Sequence, residues 1–202
     1  MSNTKPENQI AYFQEHSPKC IEAFLVESVQ LDNLDFDGHG FSGSYPDGLV
    51  ANSNIVFAIA CQCGNRTQKI VAESEYQEIW RHENLVIAER FFLECGSCHS
   101  RHLLFDRYLH GYDAETARLE GMNLSEIIGD NQPLPVKEVV TCKCAHCHNT
   151  VFEVFTRFEY PSDLFDEPLF QGQEQELFSW FTSIGKCNNC SAINVFMDYE
   201  CA

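Results

Sequence analysis

The chain has 202 residues, 44% of them hydrophobic, and 30 acidic against 13 basic side chains give it a formal net charge of −17. That hydrophobic share, with 16 Phe, excludes disorder of the whole chain, and the length suits one medium domain or two small ones whose cores need added staples. The longest apolar run, Ile55 to Cys61, is too short to span a bilayer, and so acidic a surface repels phosphate.

The first residues, MSNTKPENQIAYFQEH, have neither a basic start nor an apolar core, so no leader is read there and the chain is expected to be cytosolic. Pro6 to His16 reads as a helix, and KCIEAFLVESVQ supplies a strand. DFDGHGFSGSYPDGL is a Gly-rich loop, but it lacks the Lys and Ser/Thr of a phosphate cradle, and its Gly, Pro and Asp suit turns. IVFAIACQCGNRTQKIVAE then reads strand, cysteine turn, strand. Glu75 to His82 fits a helix with Tyr76, Ile79 and Trp80 on one face. NLVIAERFFLECGSCHSRHLLFDRYL repeats the strand, turn, strand order. A helix is predicted over Asp113 to Ile128, with Asp113 as N-cap and a break at Gly121, and Asn131 to Pro135 forms a link.

After the link the plan recurs. VKEVVTCKCAHCHNTVFEVFTRF and QELFSWFTSIGKCNNCSAINVFMDY each read strand, cysteine turn, strand, again separated by an insert. The expected fold class is therefore mainly β with minor α, built as a duplication. Its divisions are an N-terminal extension over 1–54, a first β unit over 55–110, a helical linker over 111–135 and a second β unit over 136–202.

A reducing compartment keeps thiols free, so paired spacing among the 11 cysteines points to metal. In the first unit Cys61-x-Cys63 faces Cys95-x-x-Cys98. Two cysteines on one tight turn aim their sulfurs at a common centre, and a second such turn completes a tetrahedron. In the second unit Cys187-x-x-Cys190 faces the crowded CKCAHCHN, residues 142–149. Cys144 and Cys147 are favoured there, because His148-Asn149 after Cys147 matches Gly64-Asn65 after Cys63. The rival pair Cys142-x-Cys144 copies the Cys61-x-Cys63 spacing. His99, His146 and His148 are read as exposed turn residues, and Cys20 and Cys201 as ordinary thiols.

This paired-knuckle plan resembles the zinc ribbon, or rubredoxin-like, group of zinc-binding β-domains over about residues 55–110 and 136–200. The resemblance implies two structural Zn²⁺ ions, one on Cys61, Cys63, Cys95 and Cys98 and one on Cys144, Cys147, Cys187 and Cys190. The Cys-x-Cys first knuckle departs from the commonest form, and iron in either site would instead allow electron transfer. Ribbons serve many activities, so the motif speaks for metal and not for a reaction.

Charge suggests the partner. Two filled sites add to the negative balance and take it to about −21. Residues 159–176, EYPSDLFDEPLFQGQEQE, set Leu164 and Phe165 beside Asp166 and Glu167, an apolar anchor rimmed by carboxylates that suits a basic protein surface. Trp80 is a second candidate contact. The expected function is a non-enzymatic, zinc-binding, protein-binding chain without catalytic residues, of which an inhibitor or immunity-type protein against a basic toxin or nuclease is an instance. The alternatives are a nucleic-acid binder using Arg66, Lys69, Arg101 and Arg107 of the first unit, and a metal-dependent enzyme or iron-type redox protein.

Overall fold

The computed structural model describes residues 9–29, 53–75, 78–82, 85–122, 124 and 137–201. The Gly-rich loop and the Asn131 to Pro135 link lie outside the described residues. Helix α1 spans Gln9–Glu15, and a single 3-10 turn at Lys19–Ile21 leads into strand β1, Leu25–Val29. Strands β2, Ser53–Ala60, and β3, Thr67–Ser74, flank the first cysteine turn. A small hairpin of β4, Trp80–His82, and β5, Leu85–Ile87, precedes β6, Arg90–Cys95, and β7, Arg101–Asp106. Helix α2, Tyr112–Leu119, is followed by β8, Glu138–Thr141, and β9, Phe152–Tyr160, and then by β10, Trp180–Cys187, and β11, Ile193–Glu200.

Nine of these strands form one antiparallel sheet, and β4 and β5 pair separately. Among the described residues the fold is thus mainly β with two short helices. Where a helix was expected at Glu75 to His82, residues 80–82 form a strand, with Trp80 opposite Ile87 and His82 opposite Leu85. Two helical turns are too short to stand alone, and pairing with Leu85–Ile87 satisfies the backbone of residues 80–82. Helix α2 begins one residue before Asp113, so its N-cap is Gly111 and not Asp113. The helix ends in a turn at Gly121, whose φ is +74°.

The strand pairing crosses the two sequence halves. Strand β2 runs along β9 from Ser53 opposite Tyr160 to Ile59 opposite Val154, and β3 continues on the same edge with Thr67 opposite Glu153. Residues 60–66 therefore leave a nearly continuous strand line and return to it. Strand β8 repeats this on β3, from Ser74 opposite Glu138 to Val71 opposite Thr141, before the second cysteine turn loops out and β9 resumes at Phe152 opposite Gln68. Each half thus lends its first strand to the second strand of the other. The remaining hairpins, β6 with β7 and β10 with β11, carry a register shift at matching places, Phe91/Phe92 and Ser183/Ile184.

One core results. Phe91 and Phe105 from the first half are fully buried with Phe158, Phe178 and Phe181 from the second, and the Phe105 and Phe181 rings stack at 4.5 Å. Helix α1 closes one end by stacking Phe13 on Tyr160 at 3.6 Å. Gly185 permits close approach within β10: a Cβ there would lie 2.7 Å from the Phe196 ring and 3.0 Å from Phe152. No helix among the described residues is long and apolar enough to cross a membrane.

Candidate metal centres

Each cysteine turn sits where a strand ends, and its backbone is folded by hydrogen bonds that the strands leave open. The Cys95, Cys144 and Cys187 amides donate to the carbonyls of Ser100, Asn149 and Ala192, at 2.9, 2.8 and 2.9 Å. The shorter first turn closes one residue sooner, with the Cys61 amide donating to Asn65 at 2.9 Å. Directly after the second cysteine of every turn comes a left-handed residue: Gly64, His99, His148 and Ser191, with φ of 86°, 59°, 60° and 61°. Such turns bend the chain so that both sulfurs and nearby amides face one point. The imidazoles of His99 and His148 project from these bends into solvent, as does that of His146.

Two turns from each half meet. Cys61, Cys63, Cys95 and Cys98 form one cluster and Cys144, Cys147, Cys187 and Cys190 the other, with all sulfurs of a cluster within 4.8 Å of one another. The shortest separations are 3.5 Å for Cys61 to Cys98, 3.6 Å for Cys63 to Cys95, 3.6 Å for Cys144 to Cys190 and 3.5 Å for Cys147 to Cys187. Four sulfurs about 2.3 Å from a central zinc stand ~3.8 Å apart, so both quartets are close to the size that the ion requires. None of the cysteines is in a disulfide. Cys142 belongs to neither cluster; it continues the β8 ladder by donating its amide to Ile70 at 2.9 Å, and its thiol is buried.

The electrostatics of the quartets also suit a cation. Burial alone would raise the Cys95 thiol, yet the Cys98 and Ser97 amides and the Asn65 side chain bring it down to about 6. Cys187 is opposed by burial in the same way and brought down to about 6 by the Cys190 and Asn189 amides and the Asn149 side chain. The neighbours bear the cost. An Asn65 amide favours the Cys63 thiolate, but the sulfurs of Cys61 and Cys95 outweigh it and push Cys63 up to about 12. At Cys190 an amide from Ala192 is outweighed by burial and by Cys147 and Cys144, again up to about 12. In each quartet some thiols are shifted down, Cys95 and Cys98 in the first and Cys144 and Cys187 in the second, beside others pushed up, a crowding of sulfurs that a central positive charge would relieve.

Some supporting groups were not singled out in the sequence. Asn194, 1% exposed, donates to the Cys144 sulfur at 3.6 Å and to the carbonyls of Gly185 and Ala192, and accepts from the Ala145 amide at 3.0 Å. Ser100 contacts both Cys61 and Cys98, at 3.3 and 3.1 Å. A polar residue inside the apolar run Ile193 to Met197 was the available signal for Asn194.

The predicted partner-binding residues separate. Leu164 is buried, and Phe165 is half-buried with its ring 5.0 Å from Tyr12 and 5.7 Å from Phe13. The insert folds back because Glu174 accepts from Gly172 and Tyr12 while Glu176 accepts the Lys19 amide at 2.8 Å. Its apolar pair is therefore used inside the fold, and Asp166 and Glu167 stay exposed beside Leu169. The Trp80 side chain lies outside the described residues. Of the four basic residues expected to meet nucleic acid, Arg66 lies 3.7 Å from Glu27, Arg101 pairs with Glu73, Arg107 sits over Tyr108 and Tyr199, and Lys69 is exposed. No protein-family model, characterised protein or solved structure matches the chain.

Proposed function

We propose that this chain is a non-enzymatic zinc protein in which two ribbon-like units hold structural ions and the acidic surface binds a basic protein. The observation that carries the metal assignment is the convergence of two sulfur quartets at tetrahedral spacing. Four thiolates fill the coordination of zinc, leaving no position for a substrate, so the ion's contribution goes to folding. The partner reading is supported by the charge of −17, which bound zinc takes to about −21, and by the exposed Asp166 and Glu167. Arg66 and Arg101 of the first unit lie against Glu27 and Glu73, which favours protein over nucleic acid. An inhibitor or immunity-type protein facing a basic toxin or nuclease is one instance of this class.

The test is capture of partners by the zinc-loaded full chain from its own cells, eluted with rising salt. Basic proteins that leave in a salt-dependent manner and rebind when purified are the expected result. Capture of RNA or DNA with no purified protein rebinding would overturn the proposal.

A further inference from the structure

A cleft of about 540 Å³ lies where the β4–β5 hairpin meets β8, the Cys144 turn and β11. Its walls include Val86, Val140 and Phe196, and its charged side chains are Arg81 and Lys143, with His148 beside them. No carboxylate among the described residues lines it. Elsewhere in the chain Arg66, Arg90, Arg101, Arg118, Lys137 and Arg157 lie against carboxylates. Arg81 and Lys143 have no carboxylate partner among the described residues. Both are exposed, whereas Val86 and Phe196 beneath them are buried.

From this pairing of unneutralised cations with apolar walls we infer that the cleft binds a small organic anion, a carboxylate or phosphate head on an apolar body. The guanidinium of Arg81 offers planar donors to two oxygens and Lys143 adds a compact charge, so together they fit an anionic head. Val86, Val140 and Phe196 cover the body. The volume falls in the range of about 300–1,000 Å³ usual for small-molecule sites, in which a few polar groups orient a ligand against apolar walls.

The thiolates of the neighbouring quartet compete for the same cations, since Cys144 also borders the cleft. That sulfur is buried and receives Asn194, so part of its charge is met from inside the fold. This competition sets the controls.

The experiment uses the zinc-loaded full chain, with backbone amide shifts followed during titration with 4-phenylbutyrate and phenyl phosphate. The uncharged 4-phenylbutanamide and inorganic phosphate are the controls. Saturable shifts at Arg81, Thr141, Lys143 and Phe196 are expected with both organic anions, with each control about tenfold weaker or more. The double variant Arg81→Ala/Lys143→Ala, altered only at exposed side chains, is expected to keep its zinc and lose this binding. Equal binding of the amide, equal binding of inorganic phosphate, or retained binding by the double variant would overturn the inference. So would a double variant that loses zinc from the second quartet when no wild-type anion binding is seen, because the two cations would then serve the thiolates. These results do not depend on whether a protein partner is found, so failure here and failure of the proposed function are distinguishable.

Discussion

Asn194 illustrates how one side chain joins strand to metal turn. Its amide donates to the Cys144 sulfur and to two carbonyls, while its oxygen accepts from Ala145, so replacing it strands several buried groups at once. Asn194→Ala is expected to cost about 1–3 kcal/mol of stability and to weaken zinc at the second quartet about 10–100-fold. Denaturant unfolding and competition with a chromophoric chelator check the two effects, and an unchanged zinc affinity would remove Asn194 from the site. The eight clustered cysteines were legible because knuckle spacing is local and chemically specific. Asn194 was not, because its role depends on the turn that another part of the chain brings to it. Cys142 shows the same limit: CKCAHCHN holds three sulfurs, and only the continuation of β8 onto β3 turns the first of them away from the quartet.

Among the elements, the four turns are built alike but differ in shelter. Cys63 and Cys98 are exposed, whereas the corresponding sulfurs of the second quartet, on Cys147 and Cys190, are half-buried. A chelator or thiol reagent therefore reaches the first quartet sooner. Timed alkylation with mass mapping should label Cys63 and Cys98 before Cys147 and Cys190; the reverse order would contradict the assignment. Strand β3 is further tied to β7 and to the residue before β8 through Glu73, which pairs with Arg101 and Lys137. Burial opposes ionisation of Glu73, but these two cations win and hold its carboxyl below the ordinary 4.5. Its stabilisation is thus present above about pH 4.5 and lost as pH falls through the lower folded value. Thermal melts of wild type and Glu73→Gln should differ most near neutral pH and converge in acid, whereas a gap that widens in acid would reverse the sign. Alternating apolar residues made the long strands legible. The helix expected over Glu75 to His82 gives way to a strand at Trp80–His82, because so short a stretch fits either period and its partner strand decides the outcome.

For the molecule as a whole, the repeat of strand and cysteine turn was readable in the sequence, but the exchange of first strands was not, since a strand does not encode its neighbour. That exchange couples the centres. The first cysteine turn separates β2 from β3, both of which pair with β9, and β9 begins where the second cysteine turn ends. Loss of metal from one quartet should therefore loosen the frame of the other. The variant Cys95→Ser/Cys98→Ser is expected to hold zinc more weakly at the second quartet, and the wild type to unfold in one cooperative transition. Two independent transitions, with unaltered zinc affinity at the remaining quartet, would show that the halves act separately.

Native mass spectrometry of the full chain, purified without chelator, tests the metal claim most directly. The account predicts the mass of one chain plus two zinc ions, with Cys61, Cys63, Cys95, Cys98, Cys144, Cys147, Cys187 and Cys190 protected from alkylation until the ions are removed. A folded chain at its bare polypeptide mass, or one carrying iron in place of zinc, would contradict it.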